Sequence, residues 1–285
     1  MKPAPFAYHH PATLPEAVAL LAELAPQDGR VLAGGQSLVP IMAFRLARPP
    51  HLVDINGIAG LDRLGIEDGS LRIGALVRHA AFHRPVEDGT LGAMLAAVMR
   101  HVAHYPIRTR GTFCGSLAHA DPAAEWCLVA ATLDAEIVTL SGPGERIIAA
   151  SDFFRGVMET GLAPDELITE ARLRLLPRGA RFGFAEFSRR PGDYAQAMAL
   201  VVLEIEDGVI VAPRIGVGGA EAMPRRIAAA EILLAGQAPS DARLREAAAE
   251  AAAAIDPLVD PQIDPQYRRE LVAAMVHRAL RQAAA

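Results

Sequence analysis

The sequence predicts an α+β protein built from two domains. At 285 residues and 52% hydrophobic composition, the chain is long enough to bury more than one core. In its N-terminal part, apolar runs at 30–33 and 52–55 flank a helix-like segment at 38–46, which is typical of a βαβ unit. In its C-terminal part, strand-like segments between residues 182 and 218 precede helical segments, which indicates an antiparallel sheet covered by helices.

The other segments complete this organisation. Helices are predicted at 14–25, 92–103, 225–235, 241–254 and 265–283, and strands at 71–75, 135–140, 146–149, 167–175, 182–188, 197–206 and 209–218. The tripeptide Pro177-Arg178-Gly179 is the best candidate for a domain boundary, since Pro and Gly interrupt regular structure. We therefore expect a domain at 1–176, with subdomains of about 1–57 and 58–176, followed by a domain at 177–285.

A glycine-rich loop follows the first of these N-terminal strands. Its residues are Ala33, Gly34, Gly35, Gln36, Ser37 and Leu38. Adjacent glycines accept positive φ and leave backbone N–H groups unobstructed, and a helix N-terminus behind them favours phosphate. Ser37 either caps the helix or donates to the same anion. An ordinary strand-to-helix turn is the alternative interpretation of this segment alone.

Two common nucleotide motifs are excluded for this loop. A Walker-type loop places a lysine on the phosphates, and Lys2 is the only lysine in the sequence. The dinucleotide fingerprint requires a third glycine, and Val39 occupies its position when counted from Gly34. If this loop binds phosphate, it does so in a different fold.

A second loop has the same character. Its residues are Gly111, Thr112, Phe113, Cys114, Gly115 and Ser116. Asp121-Pro122 then predicts the start of a helix that continues to about Leu133, because Asp is favoured at the cap and Pro in the first turn. Glu125 lies in the first turns of that helix. It either accepts a hydrogen bond from a ribose hydroxyl or is a charge favoured by the helix dipole.

Together these two loops resemble a known family. Residues 33–56 and 108–126 are similar to the two FAD-binding signatures of molybdenum hydroxylases, specifically of the flavoprotein (medium) subunit of the carbon monoxide dehydrogenase and xanthine dehydrogenase family. The likeness continues at 71–75, 162–168, 189–195 and 216–219. It implies a two-subdomain FAD-binding domain of the vanillyl-alcohol oxidase type, followed by a C-terminal flavoprotein domain with an antiparallel sheet and helices.

The resemblance also implies which residues contact FAD. They are Ala33, Gly34, Gly35, Gln36, Ser37, Leu38, Thr112, Phe113, Cys114, Gly115, Ser116, Glu125, Ile168 and Tyr194. The two loops would wrap the diphosphate from opposite sides and Glu125 would lie near the sugar. Ile168 would lie near the adenine, and Tyr194 would approach the isoalloxazine from the C-terminal domain. No catalytic acid or base and no metal ligand is assigned.

The chain departs from the family pattern at Cys114, which stands where relatives have glycine. If that position required positive φ, cysteine would cost about 1–2 kcal/mol there and its sulfur would crowd the loop. The thiol is interpreted either as reactive, because it lies near a helix N-terminus, or as a packed small residue. Relatives also place a lysine near Arg189-Arg190, and this chain has none there.

Composition excludes several classes of function. The net charge is −5 and the charges are spread, which argues against nucleic-acid binding. No apolar run reaches the roughly 18 residues of a membrane span, and the N-terminus lacks an apolar signal segment, so we expect a cytoplasmic protein. With 2 cysteines the chain cannot supply the four ligands of a [2Fe–2S] cluster. Clusters would therefore lie on a partner.

Histidine pairs were considered as metal ligands. His79 and His83 are separated by one helical turn, as are His101 and His104, and both pairs are expected on helices. No HExxH motif or further ligand accompanies them, so metal binding is rejected. His104 and His119 lie close to the second loop in sequence, and are candidates for a flavin neighbour and for a residue that orients the loop.

The resemblance implies an FAD-carrying electron-transfer subunit of a molybdopterin-containing hydroxylase. It would take electrons from [2Fe–2S] clusters of a small iron–sulfur subunit, beside a large molybdopterin subunit, and pass them to an external acceptor. The expected assembly is a dimer of heterotrimers. Two alternatives stay open: a stand-alone flavin oxidoreductase of the same fold, and a scaffold subunit that has lost FAD, which Cys114 would explain.

Overall fold

The computed structural model describes residues 2–261 and 263–285. Its N-terminal part contains β1 (Ala7–His9), α1 (Leu14–Leu24), β2 (Arg30–Leu32), α2 (Leu38–Ala43), β3 (His51–Asp54), β4 (Leu64–Glu67), β5 (Ser70–Gly74), α3 (Thr90–Met99), α4 (Tyr105–Arg108), α5 (Phe113–His119), α6 (Glu125–Thr132), β6 (Glu136–Ser141), β7 (Gly144–Ala149), α7 (Ala150–Phe153), β8 (Phe154–Gly156), β9 (Glu159–Thr160) and β10 (Leu167–Arg174). The predicted α+β class is confirmed.

The first three strands form a small parallel sheet in the order β1-β3-β2, with α2 connecting β2 to β3. This is the predicted βαβ unit. The connecting helix ends three residues earlier than predicted, because Arg45 adopts a left-handed backbone conformation (φ 59°) that cannot continue an α-helix. The carboxyl end of β2 therefore leads directly into the first glycine-rich loop.

The second sheet of the N-terminal part is antiparallel, in the order β4-β5-β10-β6-β7. Helix α5 packs against β5 and β10 of this sheet, and α3, α5 and α6 contribute to one apolar core in which Trp126, Phe82 and Phe113 are fully buried. Strand β10 has an irregularity in its pairing with β6 between Ile168 and Glu170. This core fixes the positions of α5 and of the extended segment at 77–78, which precedes α3. The second glycine-rich loop leads into α5 and pairs with that segment.

The C-terminal part contains β11 (Arg181–Phe187), β12 (Ala197–Leu203), β13 (Ile205–Glu206), β14 (Val209–Ile210), β15 (Arg214–Gly218), β16 (Arg225–Arg226), α8 (Ala228–Leu234), α9 (Asp241–Ala254) and α10 (Pro265–Ala284). Its main sheet is antiparallel in the order β11-β12-β15-β16. The long strands predicted at 197–206 and 209–218 are shorter than expected, since a separate hairpin of β13 and β14 lies between them.

Both faces of the C-terminal sheet are buried. All residues of β12 are buried: Met198, Leu200 and Val202 face the N-terminal core, and the alternate residues face the core formed with α9 and α10. A strand covered on both sides becomes continuously apolar. Gly216 and Gly183 permit this packing, because a Cβ at either position would overlap Thr132 of α6 or Ala279 of α10. The two parts of the chain thus meet along α6.

Among the described residues, no helix is both long enough and apolar enough to cross a lipid bilayer.

Candidate functional site

The two glycine-rich loops meet in the folded chain. A Cβ added to Gly34 would overlap the carbonyl oxygen of Arg110 and lie 2.7 Å from the Cα of Gly111. The backbones of the two loops therefore touch at a point where neither side has room for a side chain. Loops separated by about 75 residues in sequence become one surface.

The first loop presents unpaired backbone donors. The N–H groups from Gly34 to Leu38 donate to no acceptor among the described residues, whereas Val39 N–H already donates to the Gly35 carbonyl. Gly35 has φ 71°, which supports the turn that aligns these groups at the start of α2. Ser37 makes no capping hydrogen bond, so the capping alternative for this residue is wrong and its hydroxyl is available to a ligand.

The second loop is anchored to the core. Thr112 pairs with Arg78 in an isolated antiparallel bridge, and the Phe113 N–H donates to the Val77 carbonyl at 3.1 Å. The Thr112 hydroxyl oxygen then accepts from the Gly115 N–H at 3.0 Å and caps α5. The N–H groups of Thr112 and Cys114 make no backbone bond within the described chain. The loop offers fewer free donors than the first one, in a more rigid frame.

Cys114 lies in the core and not in the loop cradle. Its backbone is helical rather than positive in φ, so the strain considered for this position does not arise. The thiol is buried and donates to the carbonyl of Ile73 in β5 at 3.4 Å. Burial raises the pKa of the Cys114 thiol, which makes it an inert packed residue. The expected crowding of the loop is therefore wrong.

His79 supports the second loop from below. The Trp126 indole N–H donates to His79 Nδ1 at 2.9 Å, and a Cβ on Gly111 would lie 2.6 Å from His79 Nε2. Burial lowers the pKa of His79 to about 4, with smaller effects of Arg108 and Arg78. The ring is thus neutral at pH 7, accepting at Nδ1 and protonated at Nε2. It lies in a 3₁₀ helix (His79–His83), and its role is structural.

Sequence reasoning missed Arg78 and Asn56, which link both loops. Asn56 Nδ2 donates to the Ala33 carbonyl at 2.8 Å, and Arg78 Nη2 donates to Asn56 Oδ1 at 2.6 Å. Arg78 Nη1 also donates to the Arg110 carbonyl. Desolvation, followed by the charge of Arg110, lowers the pKa of Arg78, and no carboxylate of the described chain forms an ion pair with it. The charge of Asp54 offsets part of this effect without a direct ion pair, and a guanidinium beside free N–H groups suits an anionic ligand.

Glu125 is the first residue of α6, and the helix begins later than predicted. Asp121 accepts from the Ala123 N–H at 2.8 Å and stabilises a turn before the helix, which is why it does not act as the cap. The Glu125 side chain is half-buried and accepts a hydrogen bond from its own backbone N–H. Burial, and then the negative charge of Glu186, raise the pKa of Glu125 to about 8. Its carboxyl lies at the edge of the site, close enough to Tyr194 for its charge to raise the pKa of that residue.

Tyr194 reaches the same region from the loop between β11 and β12. Tyr194 is 65% exposed, and its pKa is raised by desolvation and by the charges of Asp121 and Glu125. The turn that carries it rests on His104, since a Cβ on Gly192 would lie 2.7 Å from His104 Nδ1. An exposed aromatic face supported in this way is available for stacking on a planar ligand.

The position that the resemblance implies for Ile168, near the adenine, stays a prediction. Ile168 is buried in β10, next to the pairing irregularity, and no contact of its side chain with the first loop is seen. Strand β10 packs against α5, which carries the second loop. Among the described residues, no group of three or more His, Cys, Asp or Glu side chains is arranged to hold a metal ion.

The chain matches two family models. Residues 4–173 match "FAD binding domain in molybdopterin dehydrogenase", and residues 182–283 match "CO dehydrogenase flavoprotein C-terminal domain". The chain is 39% identical to the nicotine 6-hydroxylase medium subunit of Paenarthrobacter nicotinovorans, over 98% of this chain and 97% of that one.

Solved structures agree with these matches. The chain resembles carbon monoxide dehydrogenase from Hydrogenophaga pseudoflava with a TM-score of 0.95 and 33% identity, over 99% of this chain and 98% of that one. It resembles quinoline 2-oxidoreductase from Pseudomonas putida 86 with a TM-score of 0.93 and 35% identity, over 100% and 98%. The predicted FAD-binding domain and C-terminal domain are confirmed. The chain is therefore an oxidoreductase component that carries FAD, and it belongs to the medium subunits of the molybdenum hydroxylases.

Proposed function

We propose that this chain transfers electrons from [2Fe–2S] clusters of a small partner subunit, through its FAD, to an external acceptor. FAD supplies the redox chemistry, because it accepts and releases electrons singly or in pairs. The residues of this chain bind and orient it. In this proposal a large molybdopterin subunit transforms the organic substrate.

The observation that carries the proposal is the contact between Gly34 and Gly111. It brings the free N–H groups of the first loop and the fixed frame of the second loop to one place. Arg78, which makes no direct ion pair among the described residues, lies beside them. Backbone donors and a cation at this point would bind the FAD diphosphate without a lysine. Glu125 would accept from a hydroxyl of the FAD sugar chain, and Tyr194 would cover the isoalloxazine.

The names of the relatives support a role in which this chain does not contact the organic substrate. Proteins named for nicotine, carbon monoxide and quinoline chemistry match this chain almost end to end at 33–39% identity. Their substrates have little chemistry in common, whereas the fold is shared. A chain that exchanges electrons and does not touch the substrate would show this behaviour.

Further proposals concern the domain boundary, the assembly with partner subunits and the location of the protein. We place the domain boundary at 176/177, with subdomains of about 1–57 and 58–176. This is supported by the turn at Pro177, whose carbonyl accepts from the Ala180 N–H, and by Gly179 at φ 90°. We propose assembly as a dimer of heterotrimers. We also propose a cytoplasmic location, which two buried, unpaired cysteines suit.

The substitution Gly35→Val tests the first loop. At φ 71° a Val is strained, and its Cβ would lie 3.2 Å from both Leu32 Cδ1 and Val39 Cγ2. We expect the variant to keep its circular dichroism spectrum and lose bound FAD, measured as flavin absorbance per chain. The matched control is Gly142→Val, because Gly142 has no neighbour within 4 Å of its Cβ position.

Flavin occupancy equal to that of the wild type in Gly35→Val would contradict the assignment. Iron and molybdenum that copurify with the chain and its partners would support the electron-transfer role. A stable monomer that turns over an organic substrate by itself would instead support a stand-alone flavin oxidoreductase. The scaffold without FAD loses its motivation, since Cys114 does not enter the cradle.

A further inference from the structure

Asn56, which links the two loops together with Arg78, is itself held by a buried carboxylate. Asp54 is the last residue of β3, the central strand of the parallel sheet, and is 7% exposed. Its Oδ1 atom accepts from the Asn56 backbone N–H at 2.8 Å and from Asn56 Nδ2 at 2.5 Å. Asn56 Nδ2 also donates to the Ala33 carbonyl of the first loop. Asp54 thus fixes the Asn56 amide with its nitrogen toward the first loop and its oxygen toward Arg78.

The other oxygen of this carboxylate is satisfied from a different strand. Tyr8 in β1 donates its hydroxyl to Asp54 Oδ2. Strands β1 and β3 are parallel with Tyr8 opposite Leu52, so Asp54, two residues further along β3, lies on the same face of the sheet as Tyr8. Desolvation alone would raise the pKa of Asp54, but the hydrogen bonds from Tyr8 and Asn56 outweigh it and hold the pKa below its ordinary value. These hydrogen bonds therefore compensate for burying the charge.

The segment after β3 also packs against the end of β1. A Cβ on Gly57, the residue after Asn56, would lie 2.5 Å from His10 Cε1. The His10 ring stacks in turn on Tyr8, with ring centroids 6.3 Å apart. The N-terminal strand therefore supports this segment by one hydrogen bond and one close contact. Because Tyr8 is 55% exposed, removal of its hydroxyl breaks the hydrogen bond without opening a cavity in the core.

From Asn56 the hydrogen bonds continue to the second loop. Arg78 Nη2 donates to Asn56 Oδ1, and Arg78 Nη1 donates to the Arg110 carbonyl. That carbonyl faces Gly34 of the first loop so closely that a Cβ on Gly34 would lie 2.4 Å from its oxygen. A continuous series of hydrogen bonds thus runs from Tyr8, on the surface, to the contact between the two loops.

We propose that Tyr8 and Asp54 are positioning residues for FAD: by holding Asn56, they keep the two loops at the separation that the FAD diphosphate requires. Without the Tyr8 hydroxyl, Asp54 Oδ2 loses its donor and the carboxylate turns toward the Arg78 guanidinium. That movement disturbs the hydrogen bonds that hold the loop carbonyls, so the loop spacing must be restored when FAD binds, at a cost in affinity. Neither Tyr8 nor Asp54 needs to touch FAD. The inference rests on the proposed position of the diphosphate between the two loops.

Titration of the FAD-free full-length chain with FAD tests the role of Tyr8. Tyr8→Phe removes only the hydroxyl, so we expect the FAD dissociation constant to rise roughly tenfold with an unchanged circular dichroism spectrum. Tyr267→Phe is the matched control, because Tyr267 is 42% exposed on α10 and its hydroxyl makes no hydrogen bond to any residue that the structure describes. The dissociation constant of this control should equal that of the wild type.

A double-mutant cycle distinguishes positioning through Asn56 from an independent loss of structure. Asn56→Ala should raise the FAD dissociation constant roughly 30-fold, because the amide then holds neither loop. Addition of Tyr8→Phe to Asn56→Ala should change the constant by less than about twofold, since the hydroxyl acts only through Asn56. Independent effects would instead multiply to roughly 300-fold.

The outcomes separate this inference from the proposed function. Wild-type affinity in Tyr8→Phe, an equal loss in Tyr267→Phe, or multiplied losses in the double variant would each overturn the positioning role. If Gly35→Val loses FAD while Tyr8→Phe binds it as the wild type does, the positioning role fails and the assignment of the diphosphate to the loops stands. Full flavin occupancy in Gly35→Val overturns that assignment itself.

Discussion

The two glycine-rich loops meet at one point, but different contacts hold each of them in place. The first loop is held mainly by its own turn and leaves its N–H groups from Gly34 to Leu38 open. The second loop is fixed by a strand-like bridge, by the Thr112 cap and by His79 beneath it. Contacts that fix a loop before the ligand binds reduce the conformational entropy lost on binding, and the second loop has more of them.

The largest expected effect comes from Gly34→Ala. The added Cβ would overlap the Arg110 carbonyl and separate the two loops. We expect FAD affinity to fall roughly 100-fold, equivalent to about 2.7 kcal/mol, with little loss of fold. Isothermal titration of the FAD-free chain measures this. Gly65→Ala, which adds a methyl group in open space, is the control. Wild-type affinity in Gly34→Ala would show that the loops need not touch.

The second-largest expected effect comes from replacing His79, which packs against the second loop. His79→Phe keeps a ring but leaves the Trp126 N–H without its acceptor, so we expect the free energy of unfolding to fall by about 1–3 kcal/mol at pH 7. FAD affinity should fall less than in Gly34→Ala. Chemical denaturation of the FAD-free chain gives the free energy.

The loss of stability caused by His79→Phe should depend on pH. The pKa of His79 is lowered to about 4 in the folded chain, mainly by burial, against an ordinary value of 6.5. The unfolded chain therefore binds more protons in this range, and stability contributed by the neutral ring is lost as the pH falls from about 6.5 to about 4. The difference in stability between wild type and His79→Phe should shrink over that range. A constant difference would contradict a buried neutral histidine.

The smallest expected effects are those of removing the hydroxyl groups of Thr112 and Ser37, and they should differ between the two residues. Thr112→Ala should reduce stability by about 1 kcal/mol through loss of the α5 cap. Ser37→Ala removes no capping bond, so its stability should change by less than about 0.5 kcal/mol, while FAD affinity should fall roughly tenfold if the hydroxyl donates to phosphate. Equal stability losses in both variants would show that the first loop depends on its hydroxyl as the second one does.

The sequence by itself determined the α+β class, the βαβ unit, most helices and the glycine positions of both loops. These features follow from local signals: apolar periodicity, glycine pairs and the preference of Asp and Pro for turns and helix starts. It placed the start of α6 too early, because Asp121 and Pro122 are equally suited to the turn that precedes it.

Only the tertiary structure decided that Cys114 points into the core, that Ser37 is free, and that Arg78 and Asn56 join the loops. Each of these depends on contacts between residues distant in sequence, and local propensity contains no information about which distant groups will meet or how much water will remain between them.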